Sequence, residues 1–221
     1  MQVTQAVESR VTCRAFKPQT VPAELVREVL QLAARAPSNG NLQPWRVFVV
    51  SGEKLESLKR DAVERITTQG WEEPEYFVYP SPLKEPYRTL RFEVGEALYK
   101  TIGVERSDKA GRLAQFAKNA ELFGAPLGLF FYIDRSMSQG QWMDLGMFIQ
   151  TLMLLFEERG IATCAQGYWT GLHQTLAKQI QPPEELMLAC GMAVGYADAD
   201  AAINSLRSDR QSFDEFVLFC E

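Results

Sequence analysis

The stretch Trp142-Met-Asp-Leu-Gly-Met-Phe-Ile-Gln-Thr-Leu-Met-Leu-Leu-Phe-Glu-Glu158 decides how this chain is built. Its apolar residues fall on nearly every side of a helical projection, so the helix must be covered all round, by a central core or by a subunit interface. Gly160 marks its end. On the N-terminal side lies Ala125-Pro-Leu-Gly-Leu-Phe-Phe-Tyr-Ile-Asp134, a short apolar run that reads as a buried strand. On the C-terminal side Ile161–Ala165 and Leu186–Tyr196 read the same way. Farther out, Leu25, Val26, Val29, Leu30, Ala33 and Ala36 recur at helical spacing, with Pro22 in the first turn and Pro37 as the stop. Trp45–Val50 reads as a strand. Helical patterns cover Glu53–Thr68, Arg88–Gly103 and Lys109–Phe123. A polar tail from Asp198 ends in the apolar Phe213–Phe219, which is expected to dock on another surface. No repeat or linker divides the pattern, so the expectation is one α+β domain over 1–221, with a central mixed or antiparallel sheet flanked by helices.

Composition narrows the function. The 221 residues carry 23 Lys+Arg against 28 Asp+Glu, a net charge of −5. Duplex-binding proteins gather the opposite balance, because phosphate neutralisation supplies most of their affinity, so no nucleic-acid partner is expected. No apolar run approaches the roughly 20 residues of a membrane helix, and the first residues lack a signal-peptide pattern. A cytoplasmic location without membrane attachment is expected. Cys13, Cys164, Cys190 and Cys220 form no C-x-x-C pair and read as reduced thiols. The single histidine, His173, excludes His-clustered metals, and it reads as a surface or capping residue at the start of a helix. No metal site is expected. With so few nucleophile–base combinations open, the reactive group is expected to come from something bound.

Three segments carry candidate chemistry. Ser9-Arg10-Val11-Thr12-Cys13-Arg14 sets two guanidinium groups four residues apart with a hydroxyl between them, a set suited to a phosphate. Pro37-Ser38-Asn39-Gly40-Asn41 offers short amides and backbone N–H groups to a ligand's polar edge. Thr163-Cys164-Ala165-Gln166-Gly167 places small residues after a strand, where a ligand can approach the backbone closely. Between the first two and the third, Gly70–Pro86 is broken by prolines into a loop. Six aromatics lie in the 22 positions from Trp71 to Phe92. Two readings stay open for them: a loop packed down by its own side chains, or a lid over a flat ligand.

In this order, the three segments resemble the FMN-dependent nitroreductase family, and the resemblance runs from Arg10 to Val217. It takes in Ala125–Leu129, Trp142–Gln150, Cys190-Gly-Met-Ala-Val-Gly-Tyr196 and the tail Asn204-Ser-Leu-Arg207-Ser-Asp-Arg210. The resemblance implies a nitroreductase-like fold and an intertwined homodimer with FMN bound at the interface. It implies that Arg10, Val11 (through its backbone), Thr12 and Arg14 approach the FMN phosphate and ribitol, joined by Arg210 and Arg207. Pro37, Ser38 and Asn39 would reach the partner's flavin, with Asn41 near the ring's polar edge. Gln166 and Gly167 would lie along the isoalloxazine, one backbone N–H facing N5. Val11, Asn39 and Ala165 depart from the usual residues at their positions.

The activity so implied is transfer of a hydride from NADH or NADPH through flavin N5 to a small aromatic acceptor, a nitroaromatic compound first, with ping-pong kinetics. No G-x-G-x-x-G follows a strand, so the nicotinamide would meet the flavin directly. No side chain is nominated as catalytic. Reduction of a quinone or enone, or reductive dehalogenation with Lys84, Glu85 and Tyr87 gripping the substrate, are the alternatives on the same scaffold. A non-catalytic FMN-binding or sensing protein is the alternative of another class.

Overall fold

A computed structural model of the chain describes residues 1–220. Four strands, β1 (Arg46–Ser51), β2 (Leu127–Asp134), β3 (Ala162–Gln166) and β4 (Leu186–Gly195), form one antiparallel sheet in the order β1-β2-β4-β3. The helices are α1 (Val3–Ser9), α2 (Ala23–Ala33), α3 (Gly52–Gln69), α4 (Tyr87–Thr101), α5 (Lys109–Ala117), α6 (Gln139–Glu158), α7 (His173–Ile180) and α8 (Phe213–Phe216).

Side-chain alternation along β2 builds two cores. Phe130 and Tyr132 point to one face, where α3, α7 and the buried Trp169 pack. Leu127, Leu129, Phe131 and Ile133 point to the other, against α2 and α6. A strand covered on both faces reads as a continuous apolar run, which is why Ala125–Asp134 shows no polar alternation. Beside β2, the register of β4 shifts at Phe131/Tyr132 and leaves Ala189 outside the paired positions. This bulge puts Ala189 and Cys190 on the same side, a break in the strand's period of two. At Gly191 the strand admits the indole of Trp169, which would lie 2.5 Å from a Cβ built there.

The elements match the sequence expectations with four differences. α5 ends at Ala117, not Phe123, because Leu122 and Phe123 adopt φ values of 51° and 56° and Gly124 one of 82°. These left-handed residues turn the chain back into β2. α6 is buried along one face only: Leu145, Phe148, Leu152 and Phe156 are enclosed, whereas Met143 and Met147 are 64% and 39% exposed. The expected all-round cover is therefore absent within one protomer. The apolar tail does not dock on its own chain either, since Phe216, Leu218 and Phe219 are exposed. α1 has no counterpart in the sequence reading; it is a seven-residue helix that buries only Ala6.

Candidate functional site

The site grows from the C-terminal end of β3. Thr12 forms a parallel bridge with Thr163, and the Cys13 amide donates to the Thr163 carbonyl at 3.0 Å. The arginine segment is thereby strapped to the strand that ends in Gln166 and Gly167. Thr163–Gln166 belong to β3 itself and do not follow it, a correction to the sequence reading. The C-terminal tail joins from the far end of the chain. Asn204 Oδ1 accepts from the Arg14 amide at 2.7 Å, and Asn204 Nδ2 donates to the Ala15 carbonyl at 2.9 Å. One amide side chain thus bonds the strap from both sides, three residues before Arg207. Arg207 and Arg210 make only local contacts, to the carbonyls of residues 204, 206, 208 and 209 and to the Ser208 hydroxyl. Their guanidinium groups carry no carboxylate partner among the described residues.

A cleft of about 640 Å³ opens at this corner. Arg14, Gln166 and Gly167 line it; Arg10, Val11, Thr12, Arg207, Arg210 and the 37–41 segment do not. Gln166 is 3% exposed and donates its amide to Asn119 Oδ1 and to the Asn119 carbonyl, each at 3.0 Å. Its Oε1 is buried without a partner. An unpaired buried carbonyl is costly, so this atom is set to accept from something else.

Pro37, Ser38, Asn39 and Asn41 occupy a separate region, at the head of α6. The buried Asp144 carboxylate accepts from the Asn39 amide N–H at 3.1 Å and from Asn39 Nδ2 at 3.0 Å. Ser38 Oγ accepts from the Gln43 amide. Asn41 adopts a positive φ of 57°, a conformation that Asn tolerates better than most side chains. None of the segment's residues lines the cleft of its own protomer.

The proline-rich loop supplies much of the cleft wall. The reading of a loop packed down by its own side chains holds for some of its aromatics. Trp71 packs edge-on against Tyr168 at 4.8 Å and Tyr76 against Trp142 at 4.9 Å. The Tyr76 hydroxyl also donates to the Ala189 carbonyl, the one the β4 bulge sets free. Phe77 and Tyr79, by contrast, are 77% and 51% exposed and border the opening.

Three acidic or basic anchors that sequence reasoning missed hold this loop. Glu72 is buried and accepts from the Gln174 and Thr175 amides at 2.7 and 2.9 Å and from the Thr175 hydroxyl at 2.6 Å. It caps α7 from 102 residues away. Arg65 lies 3.7 Å from it and donates to the Gly70 carbonyl. Glu75 pairs with Arg135 at 2.6 Å and stands 3.7 Å from His173 Nδ1. His173 opens α7 and caps the helical turn Gly167–Leu172 before it, as the sequence reading allows, but it is not a surface residue. Its side chain is 13% exposed, with Nε2 buried and unpartnered.

Burial pushes the Tyr168 phenol up to about 12 and the Cys164 thiol up to about 12, so both stay neutral and protonated near pH 7. The described residues contain no cluster of His, Cys, Asp or Glu able to hold a metal ion. Among the described residues no helix is long and apolar enough to cross a membrane.

Comparison with known proteins agrees with this architecture. The model of the nitroreductase family matches residues 7–196. The chain is 36% identical over 223 residues to a chloronitrobenzene nitroreductase of Comamonas testosteroni, covering 98% of this chain and 96% of that one. It is 35% identical to a 4-nitrobenzoate reductase of Pseudomonas putida, covering 96% and 93%. The crystal structure of an FMN and NADPH-dependent nitroreductase, NfnB, from sphigopyxis sp. strain HMH superposes with a TM-score of 0.97 at 38% identity, covering both chains completely. A sheet edge that joins an arginine strap, a buried glutamine and an aromatic cleft, in a chain this similar throughout, has one reading: the protein belongs to the nitroreductase family.

Proposed function

We propose that this chain is an FMN-dependent oxidoreductase that takes reducing equivalents from NADPH or NADH and reduces nitroaromatic compounds. One observation carries the reading: the cleft at the end of β3 combines Arg14, an unpartnered buried Gln166 carbonyl and an aromatic wall in one continuous space. These features suit FMN. Its phosphate needs local positive charge in an acidic chain, its ring needs an apolar slot, and a ring N–H would satisfy Gln166 Oε1. When bound, FMN supplies two-electron hydride chemistry that none of the chain's own side chains provides. That is how an enzyme can operate with one histidine, here turned toward Glu75.

The chain's residues have the remaining tasks. Arg14, with Arg10, Thr12 and the Val11 backbone on the same strap, would hold the phosphate and ribitol. Docking of Asn204 on Arg14 and Ala15 supports recruitment of Arg207 and Arg210 to the same anion. Gln166 and the Gly167 amide would border the ring. Tyr76 and Tyr168, with the half-exposed Trp71, would wall one side, and the Tyr168 phenol stays protonated at pH 7 and can donate a hydrogen bond.

The functional unit is a homodimer on this reading, with residues 1–221 acting as a single domain. Support comes from apolar surface that one protomer leaves uncovered. α4 buries none of its residues, and Met143 of α6 and the tail from Phe213 are exposed. Patches of that extent mark association surfaces. Pro37, Ser38, Asn39 and Asn41, held off the cleft of their own protomer, would then serve the partner's flavin. Four free cysteines fit a reducing compartment such as the cytoplasm. The test is optical: the purified protein should show a flavin spectrum that anaerobic NADPH bleaches and added 4-nitrobenzoate restores. Protein that stays colourless after incubation with FMN would end the proposal, and colour that no nicotinamide bleaches would favour a sensing role.

A further inference from the structure

α4 faces the cleft with Arg91, Val94, Gly95, Leu98 and Tyr99, the i, i+3, i+4, i+7, i+8 stripe of one helical face. The charged residues among those lining the cleft are Arg14, Glu72 and Arg91. Glu72 is already committed to the N-terminus of α7 and to Arg65. Arg14 lies on the phosphate strap beside Asn204. The Arg14 guanidinium likewise joins no ion pair among the described residues, but it sits on the segment assigned to the phosphate, which leaves Arg91 as the charged side chain of the cleft wall with no task so far. Its guanidinium rests 4.0 Å over the ring of Tyr79, and it joins none of the ion pairs among the described residues.

Two carboxylates near Arg91 in the chain are matched elsewhere. Glu85 pairs with Arg88 at 2.6 Å, and Glu96 is gripped in a two-pronged contact by Arg112, at 2.5 and 2.8 Å. An arginine stacked on a tyrosine keeps its N–H edge free while its face is occupied, and that edge matches a carboxylate in bidentate fashion. The wall around it is aromatic, so the complementary ligand is a flat ring that carries an anionic group.

Building on the nitroreductase reading, we propose that Arg91 is a specificity-determining residue that selects carboxylated aromatic acceptors over neutral ones. The ring lies within the aromatic wall and its carboxylate meets the Arg91 edge, which leaves the other end of the acceptor toward Gly167. Tyr79 acts as a positioning residue by holding the guanidinium in place. A single charge-assisted contact of this kind gives moderate discrimination.

The test compares the parent protein with Arg91→Met and Arg91→Lys. With NADPH as donor, the ratio of kcat/KM for 4-nitrobenzoate to that for nitrobenzene should fall about tenfold in Arg91→Met, equivalent to about 1.4 kcal/mol. Arg91→Lys should recover part of the ratio. Calorimetric titration of the protein as purified with benzoate and benzamide supplies a readout that needs no turnover: the parent should prefer benzoate, and Arg91→Met should not. A ratio and a benzoate preference that survive Arg91→Met would overturn the assignment while leaving the nitroreductase reading intact. A rise in KM for NADPH with the acceptor ratio preserved would also overturn it, assigning Arg91 to the dinucleotide. If neither nitro compound is reduced, the activity reading fails, and the benzoate titration still decides the role of Arg91.

Discussion

Replacing Glu72 with Ala tests how the cleft wall is held. Its carboxylate accepts three hydrogen bonds, at 2.7, 2.9 and 2.6 Å, from two amides at the start of α7 and the Thr175 hydroxyl. Thr175 is 4% exposed, so water cannot readily replace what is removed. A charged hydrogen bond contributes about 1.5–3 kcal/mol, and orphaned buried donors add their desolvation cost. The losses are not additive; a total of about 3–5 kcal/mol is the expected range, the scale for breaking a buried charged contact. For a domain of this size each kcal/mol lowers Tm by about 2–4 °C, so Glu72→Ala should melt about 10 °C lower. Glu72→Gln keeps an acceptor and should lose about a third of that. The consequence for function follows from position: residue 72 adjoins Trp71, which packs on Tyr168 and borders the cleft. Below its melting point, the Ala variant should show a raised KM for the aromatic acceptor and faster amide exchange at residues 174 and 175. A variant that melts within about 1 °C of the parent, with unchanged protection at those amides, would refute the view that this carboxylate caps α7 and anchors the loop.

Three further outcomes are expected. Arg10→Ala combined with Arg210→Ala should release FMN on gel filtration, since both guanidinium groups are assigned to the phosphate; full retention of flavin would contradict that assignment. Gly171→Ala should leave the melting temperature within about 2–3 °C of the parent yet perturb acceptor kinetics, because the added Cβ would lie 2.6 Å from the Trp71 ring, which is 48% exposed and able to move. Alkaline stability should depend on the buried thiols. Cys164 and Cys190 are each pushed from 9.0 up to about 12 by burial, so the folded state holds protons that the unfolded state releases. Their contribution is full below pH 9 and is lost as pH rises from 9 to about 12; the Cys164→Ala, Cys190→Ala double variant should show a shallower decline in urea midpoint over that window.

Much of this architecture is written locally. A run that must be buried on both faces, such as Leu127–Asp134, or an apolar stripe at helical spacing, such as that of α2, declares itself through period and length alone. Arg10–Arg14 and Gln166–Gly167 stood out only as an ordered set resembling a known family, because a guanidinium pair or a run of small residues at a strand end has many uses when taken alone. Helix α5 was overestimated because nothing in the apolar pattern announces the left-handed turn at Leu122 and Phe123. The helix-start position of the histidine was legible but its burial was not, because its surroundings come from elsewhere: Glu75 approaches it from a loop 98 residues away in the chain.

What tertiary structure decided is which of these segments share a space. The strand order β1-β2-β4-β3 sets β3 at an edge, where Thr163 can bridge Thr12 and leave Gln166 facing a cleft. Asn204 closes the far end of the chain onto Arg14 over 190 residues, and Glu72 caps a helix it does not precede. Periodicity reports only which way a side chain faces along its own element. Contacts across a hundred residues depend on loop closure and on packing shared by the whole core, quantities that no short window of sequence contains.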